Sequence, residues 1–256
     1  MKYTTVVRAD DKSSEIEKKI RDLITINYDE KNPDYVIAVG GDGTIIKASH
    51  QYPNAIIFGV HTGHLGFYAN YSIDTLEDLI NDINTSKFEC QSIDLIQCEL
   101  INGNKKRLIG NALNEVSIIT PLKTLLLGVY VDGEFLETFR GTGLCVSTSF
   151  GSTAYNKSLN GAVVDTAISS IQLTEIAGIN SNAYRTLASP LVLSSNRVIE
   201  LTNNEINKSV HITVDHENVD IKDFTSIKIS SSKNKIKMAY HKYEDHLKRI
   251  RRTFLK

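Results

Sequence analysis

The chain has 256 residues, 41% hydrophobic and 23% charged, with a formal net charge of −1. That length carries one large domain or two modest ones, and the near-neutral balance gives no whole-protein field favouring nucleic acid or an acidic membrane. Cys90, Cys98 and Cys145 are isolated, without C-x-x-C spacing, which points to reduced thiols in a cytoplasmic protein and away from zinc. The opening stretch 1–7 has a short apolar core followed by Arg8 and Asp10, and reads as a first strand rather than a signal peptide. No apolar run approaches the length of a membrane span, so no membrane association is expected.

Ser14 and Glu17 have capping-box spacing, with Ile16, Ile20, Leu23 and Ile24 on one helical face. The apolar run 35–39 reads as a buried strand. It leads into Gly40-Gly41-Asp42-Gly43-Thr44, and a helix is expected from about Ile45. A second buried strand is expected at 55–60. Asp74 and Glu77 repeat the box spacing before Leu76, Leu79, Ile80 and Ile83. Strands alternating with helices predict an α/β fold with a parallel sheet. Near Ile93 the period changes to two. The run 125–131, then Asp132-Gly133, then 134–139, predicts a hairpin with a type I′ turn. Further strands are expected at 197–202, 210–214, 226–230 and 235–239, with short helices at 153–159 and 168–176. The chain thus reads as an α/β domain over 1–95 and a β-rich domain over 96–240. The tail 241–256 reads as a helix docked by Leu247, Ile250 and Phe254, with Lys248, Arg249, Arg251 and Arg252 in solvent.

Gly40 to Thr44 is a phosphate-site arrangement. Glycines let backbone N–H groups face an anion, and the helix N-terminus adds the positive end of its dipole. A carboxylate would repel phosphate there, unless it accepts a proton from an attacking hydroxyl or helps to hold a metal. Both roles point to phosphoryl transfer. Three further segments concentrate glycine and isolated polar groups beside apolar strands: 59–68, with His61, Gly63, His64, Gly66 and Phe67; Asn114-Glu115; and 140–161. His61 and His64 have no further ligand at zinc spacing. The Walker pattern is absent, so this is not a P-loop enzyme.

The succession G-G-D-G-T, H-T-G-H-L-G-F-Y, N-E and G-S-T-A-Y-N-K-S-x-x-G resembles the NAD kinases, most closely their bacterial branch, over about 32–216. The glycine motif alone is shared with diacylglycerol kinases and phosphofructokinases; the remainder is not. The resemblance implies two domains, the α/β one completed by the tail 241–256. It implies transfer of a phosphoryl group from ATP, or polyphosphate, to the 2′-hydroxyl of the NAD adenosine ribose with a divalent metal, magnesium being expected. It implies a homo-oligomer, a tetramer favoured over a dimer. Asp42 would activate the hydroxyl, and Gly40, Gly41, Gly43 and Thr44 would shape the phosphate loop. Asn114 and Glu115 match a pair that holds ribose hydroxyls, and Phe67 matches an aromatic wall beside adenine. Thr153, Ala154, Tyr155, Asn156 and Ser158 match a loop touching base and ribose. Arg140, Ala177 and His216 match further dinucleotide contacts. Two positions depart: Thr142 stands where the family usually has Asp, and Phe150 where it has Ser. Two other readings fit the residues: a glycine-motif kinase with a lipid or sugar acceptor, and a dinucleotide-binding sensor without catalysis.

Overall fold

A computed structural model describes residues 1–63, 66–120, 123–203 and 209–255. The chain divides into two compact units, Met1–Ile93 with Asn234–Lys256, and Asp94–Lys233.

The first unit begins with strand β1 (Lys2–Val7) and helix α1 (Asp11–Leu23). The N-cap of α1 is Asp10, whose side chain accepts from the Ser13 N–H, and Ser14 lies inside the helix. The capping box expected at Ser14 and Glu17 is therefore not formed. Glu17 instead accepts from Thr5 and Arg21. Ile16 and Ile20 are buried as the helical spacing requires, but Leu23 is exposed. Next come β2 (Asn27–Tyr28), β3 (Tyr35–Gly40), α2 (Asp42–Gln51), β4 (Ile56–His61) and β5 (Tyr71–Ser72). A 3₁₀ turn, Ile73–Thr75, leads into α3 (Leu76–Thr85), with a capping box on Ser72 and Thr75 rather than Asp74 and Glu77. The strands pair in parallel in the order β2-β1-β3-β4, with β5 also on β4. Every residue of β3 is buried, as an inner parallel strand covered on both faces requires. Tyr35, Ile37, Val39, Phe58, Val60, Leu79 and Ile83 share this unit's core.

The second unit is antiparallel. Strands β6 (Glu89–Asn102) and β7 (Lys105–Ala112) pair, followed by β8 (Glu115–Ile119). β9 (Leu125–Val131) and β10 (Glu134–Gly141) form the expected hairpin, with Asp132 and Gly133 both at positive φ as a type I′ turn demands. After β11 (Gly143–Thr148) come a 3₁₀ turn, Phe150–Thr153, and the one-turn helix α4 (Tyr155–Ser158). The stretch expected to be helical at 168–176 is strand β12 (Ser170–Ile176). Its Ile171 and Leu173 point into the core on one face while Gln172 and Thr174 are buried on the other, a two-sided burial that hides the period of two. Then come β13 (Leu191–Ser194), β14 (Ile199–Asn203), β15 (Ser209–Val214) and β16 (Glu217–Lys222). The two strands expected at 226–230 and 235–239 are one, β17 (Ser226–Tyr240). One sheet has the order β13-β12-β11-β8-β15-β16; in the other, β10, β9, β14 and β17 are successive neighbours. Val116, Ile118, Leu144, Val146 and Ile212 from the first meet Leu127, Val129, Phe139, Leu201 and Ile227 from the second in one core.

The end of β17 belongs to the first unit, where Lys237 and Met238 pair in parallel with Ile56 and Ile57 of β4. Helix α5 (His246–Phe254) closes the chain there. Its docking face is only partly the expected one: Ile250 and Phe254 are half-buried, with Phe254 against Phe67. Leu247 is 64% exposed, whereas His246 and Arg249 are buried. Among the described residues no helix is long and apolar enough to cross a membrane.

Candidate active site

In the first unit, β3 ends at Gly40 and α2 begins two residues later, with Gly41 as an extended N-cap. Ligands of open α/β sheets bind at this carboxyl edge of the strands. A side chain added at Gly41 or Gly43 would meet no described atom within 4 Å. The Thr44 N–H closes the first turn on the Gly41 carbonyl at 2.9 Å, and the N–H groups ahead of it are those a helix start leaves without an i−4 partner, so the loop offers donors to open space.

Asp42 is the first residue of α2, where a negative charge is favoured by the helix dipole. Its Oδ2 accepts the Phe67 N–H at 2.8 Å and its Oδ1 accepts the Tyr68 N–H at 3.0 Å. The approach is close enough that a Cβ on Gly66 would fall 2.2 Å from Oδ1, so only glycine fits there. A carboxylate has about four lone-pair sites. Two are fixed by backbone amides and the others remain to receive a proton. The Phe67 ring packs against α5, 5.4 Å from Phe254 and 6.1 Å from His246. His61 ends β4 with Nδ1 3.2 Å from the Gly63 carbonyl, and burial lowers its pKa. His64 and Leu65 of the second motif lie outside the described residues.

In the second unit, Asn114 and Glu115 enter β8 over Asp215, which sits in the β15–β16 turn at φ 53°. The Asp215 carboxylate accepts from the N–H groups of Leu113 at 2.8 Å, Asn114 at 2.7 Å and Glu115 at 3.2 Å. From the other side, the Thr148 N–H donates to the Asn114 carbonyl at 2.8 Å, and its hydroxyl to the Leu113 carbonyl at 2.7 Å. A Cβ on Gly151 would fall 2.0 Å from the Asn114 oxygen, so the hydroxyl-rich loop rests directly on the Asn114 backbone. Glu115 is buried and its Oε2 has no hydrogen-bond partner. Burial, then the Asp215 charge, pushes its pKa up to about 8 against a weaker pull from the Tyr155 N–H. It is therefore an acid that keeps its proton near neutrality and can donate it to a hydroxyl oxygen.

The loop divides by exposure. The Tyr155 ring and Ser158 are exposed, while Thr153 and Ala154 are half-buried. Asn156 is fully buried; its amide donates to Ser152 and Ala162 and accepts from Thr174, so it holds the loop's shape and has no surface to offer a ligand. Arg140, Thr142 and Ala177 form a second group. The Thr142 N–H donates to the Ile176 carbonyl at 3.0 Å, its carbonyl accepts from Thr120, and Ala177 follows at φ 48°. The Arg140 guanidinium lies 4.1 Å from the centre of the Tyr184 ring. His216 is exposed in the turn after Asp215.

Two residues that organise these sites were not singled out in the sequence. Asp215 had a usable signal, since an Asp between two strands marks a turn whose carboxylate caps nearby N–H groups. Arg249 had none, because one basic residue among several on a short helix reads as solvated. Among the described residues no three His, Cys, Asp or Glu side chains converge to hold a metal ion.

Comparison with known proteins covers both units. The ATP-NAD kinase N-terminal domain matches residues 2–88, and the ATP-NAD kinase C-terminal domain matches residues 113–240. The NAD kinases of Staphylococcus aureus strains JH9 and Newman are each 38% identical over 268 aligned residues, covering 100% of this chain and 98% of the relative. The NAD kinase from Archaeoglobus fulgidus, solved in complex with ATP, superposes with a TM-score of 0.77 at 25% identity over 99% of this chain and 97% of its own. Yeast NADH kinase complexed with NADH superposes with a TM-score of 0.83 at 19% identity, over 99% of this chain and 86% of that one, which shows a shared fold.

Proposed function

The chain belongs to the NAD kinase family, and we propose that it transfers the γ-phosphoryl group of ATP to the 2′-hydroxyl of the adenosine ribose of NAD, giving NADP and ADP. The observation that carries this reading is the Asp42 carboxylate at the N-terminus of α2, aimed by two backbone amides and with lone pairs to spare. A ribose hydroxyl is far too weak an acid to ionise beforehand. Asp42 accepts its proton as the oxygen bonds to phosphorus and the bond from phosphorus to the ADP oxygen breaks. The N–H groups beside Gly41 and Gly43 stabilise the phosphoryl oxygens, a term that grows as charge develops in transfer.

The second unit recognises the dinucleotide. Asn114 and protonated Glu115 pair with ribose hydroxyls, so an acceptor lacking them leaves Glu115 buried and unsatisfied at a cost of about 1–3 kcal/mol. The exposed Tyr155 ring stacks on base or ribose, and Arg140, Thr142, Ala177 and His216 contact the remainder. A divalent ion, with magnesium expected, would supply positive charge to offset that of the ATP phosphates. Such an ion takes one or two protein carboxylates, and Asp42, the carboxylate of the phosphate loop, would be the one to hold it. The free, buried thiols of Cys98 and Cys145 accord with a reducing cytoplasm.

The test is a coupled assay of NADP formation from NAD and ATP, with diacylglycerol and sugar phosphates as competing acceptors. NAD-dependent ADP release with stoichiometric NADP is expected. NAD binding by calorimetry without any NADP formed would overturn the reading.

A further inference from the structure

Segment 66–70 touches Asp42 with one side of its backbone and α5 with the other. The Tyr68 N–H that donates to Asp42 Oδ1 belongs to the same peptide group as the Phe67 carbonyl. That carbonyl accepts a hydrogen bond from Nη1 of Arg249, and Nη2 of the same guanidinium donates to Asn70 Oδ1. Asn70 is anchored in turn, its N–H donating to the Gly59 carbonyl at 3.2 Å and its Nδ2 to the Ala239 carbonyl at 3.1 Å. Arg249 is 8% exposed, with Glu244 3.6 Å from its Nε as the nearest counter-charge.

We propose that Arg249 is a positioning residue for Asp42, acting through the Phe67–Tyr68 peptide, so that the C-terminal helix is part of the catalytic apparatus. The proposal rests on Asp42 being the base of the reaction above. The physical argument has two parts. A cation on the carbonyl end of a peptide polarises it and strengthens the N–H at the other end as a donor. The same bond also bars the peptide from flipping, which would turn a carbonyl oxygen onto the carboxylate. The guanidinium fork is needed because it spans two acceptors at once; a lysine ammonium offers a point charge without that geometry.

The experiment uses the full-length enzyme with Arg249→Lys, alone and with Asp42→Asn. Misplacement of a catalytic group by about 1 Å costs up to about 100-fold in rate, and Arg249→Lys is expected to lower kcat at least about ten-fold while KM for NAD stays within about three-fold. Amide hydrogen exchange at Phe67 and Tyr68 is expected to quicken by a similar factor. In the Asp42→Asn background the same change is expected to alter the residual rate less than about two-fold, because the group being positioned is gone. Equal fractional losses with and without the Asp42 carboxylate would overturn the proposal, as would an unchanged kcat in a folded Arg249→Lys protein. Should Arg249→Lys not fold, Asn70→Ala removes one arm of the fork and leaves Arg249 in place. Its kcat is expected to fall about three-fold, and no fall would count against the proposal. Wild-type protein that makes no NADP would instead sink the functional reading, which keeps the two failures apart.

Discussion

At the scale of single residues, two carboxyl groups are set up in opposite ways. Asp42 is held by two backbone N–H donors, which suit an anion. Asp42→Asn keeps the shape, but its NH₂ group must face one of those donors, and it cannot take a proton. General-base assistance is worth about 10²–10⁴ in rate, and kcat is expected to fall within that range while the Kd for NAD moves only a few-fold. A variant retaining more than about a tenth of wild-type kcat would remove Asp42 from the role. Glu115 is buried beside Asp215 and keeps its proton up to about pH 8, whereas the unfolded chain releases it near the ordinary carboxyl value. Between those two values the folded state binds more protons, so stability falls as pH rises, by up to ~1.4 kcal/mol per pH unit for one proton, and levels off above the folded value. Glu115→Gln carries no such proton. Urea unfolding of both proteins between pH 5 and 8 is expected to show the glutamine variant gaining relative stability with pH, and a constant difference would show that Glu115 ionises normally.

At the scale of elements, what was legible followed from local chemistry, and what was not depended on packing. The Asp132-Gly133 turn needs two positive-φ residues and announces itself; β3 is an apolar run and does the same. The strand at Ser170–Ile176 buries polar Gln172 and Thr174 on one face, so apolar alternation was lost and a helix was expected. Helix α5 turned its apolar Leu247 outward because the segment it covers presents a carbonyl and an amide oxygen, which want Arg249. In the site, residue types and order pointed to Asp42 and the Asn114-Glu115 pair, but nothing in the order could tell that Asn156 is internal. The glycines carry the same lesson. Gly151→Ala would drive a Cβ into the Asn114 carbonyl, while Gly41→Ala meets open space. Overpacking costs about 1–3 kcal/mol, so Gly151→Ala is expected to lower the melting temperature and weaken NAD binding together. Gly41→Ala, with its extended backbone, is expected to keep the melting temperature and raise KM for ATP. Equal melting temperatures for the two variants would show that the loop does not rest on Asn114 in solution.

At the scale of the molecule, the second unit leaves apolar side chains in water that its own core does not use. Ile179, Tyr184 and Leu187 are exposed, and three contacts hold their segment beside β10. The Leu187 N–H donates to Glu137 at 2.6 Å, the Ile179 N–H donates to the Arg140 carbonyl at 2.7 Å, and Tyr184 lies under Arg140. Strand β10 and segment 179–187 thus lie side by side, joined through Glu137 and Arg140. Burial raises the pKa of Glu137, with the Glu175 charge adding to it. Exposed apolar side chains grouped in this way suit an interaction site, and a second copy of the same chain is the partner expected here, since self-association gives closed symmetric oligomers. A homotetramer is expected in preference to a dimer, with light scattering at micromolar concentration giving a mass near four times 28.5 kDa. Leu187→Asp places a charge on that surface without touching Asp42, Asn114 or Glu115, and is expected to shift the mass toward the single chain. A fully active wild-type monomer would overturn the expectation, and an unchanged tetramer in Leu187→Asp would move the interface elsewhere on the chain.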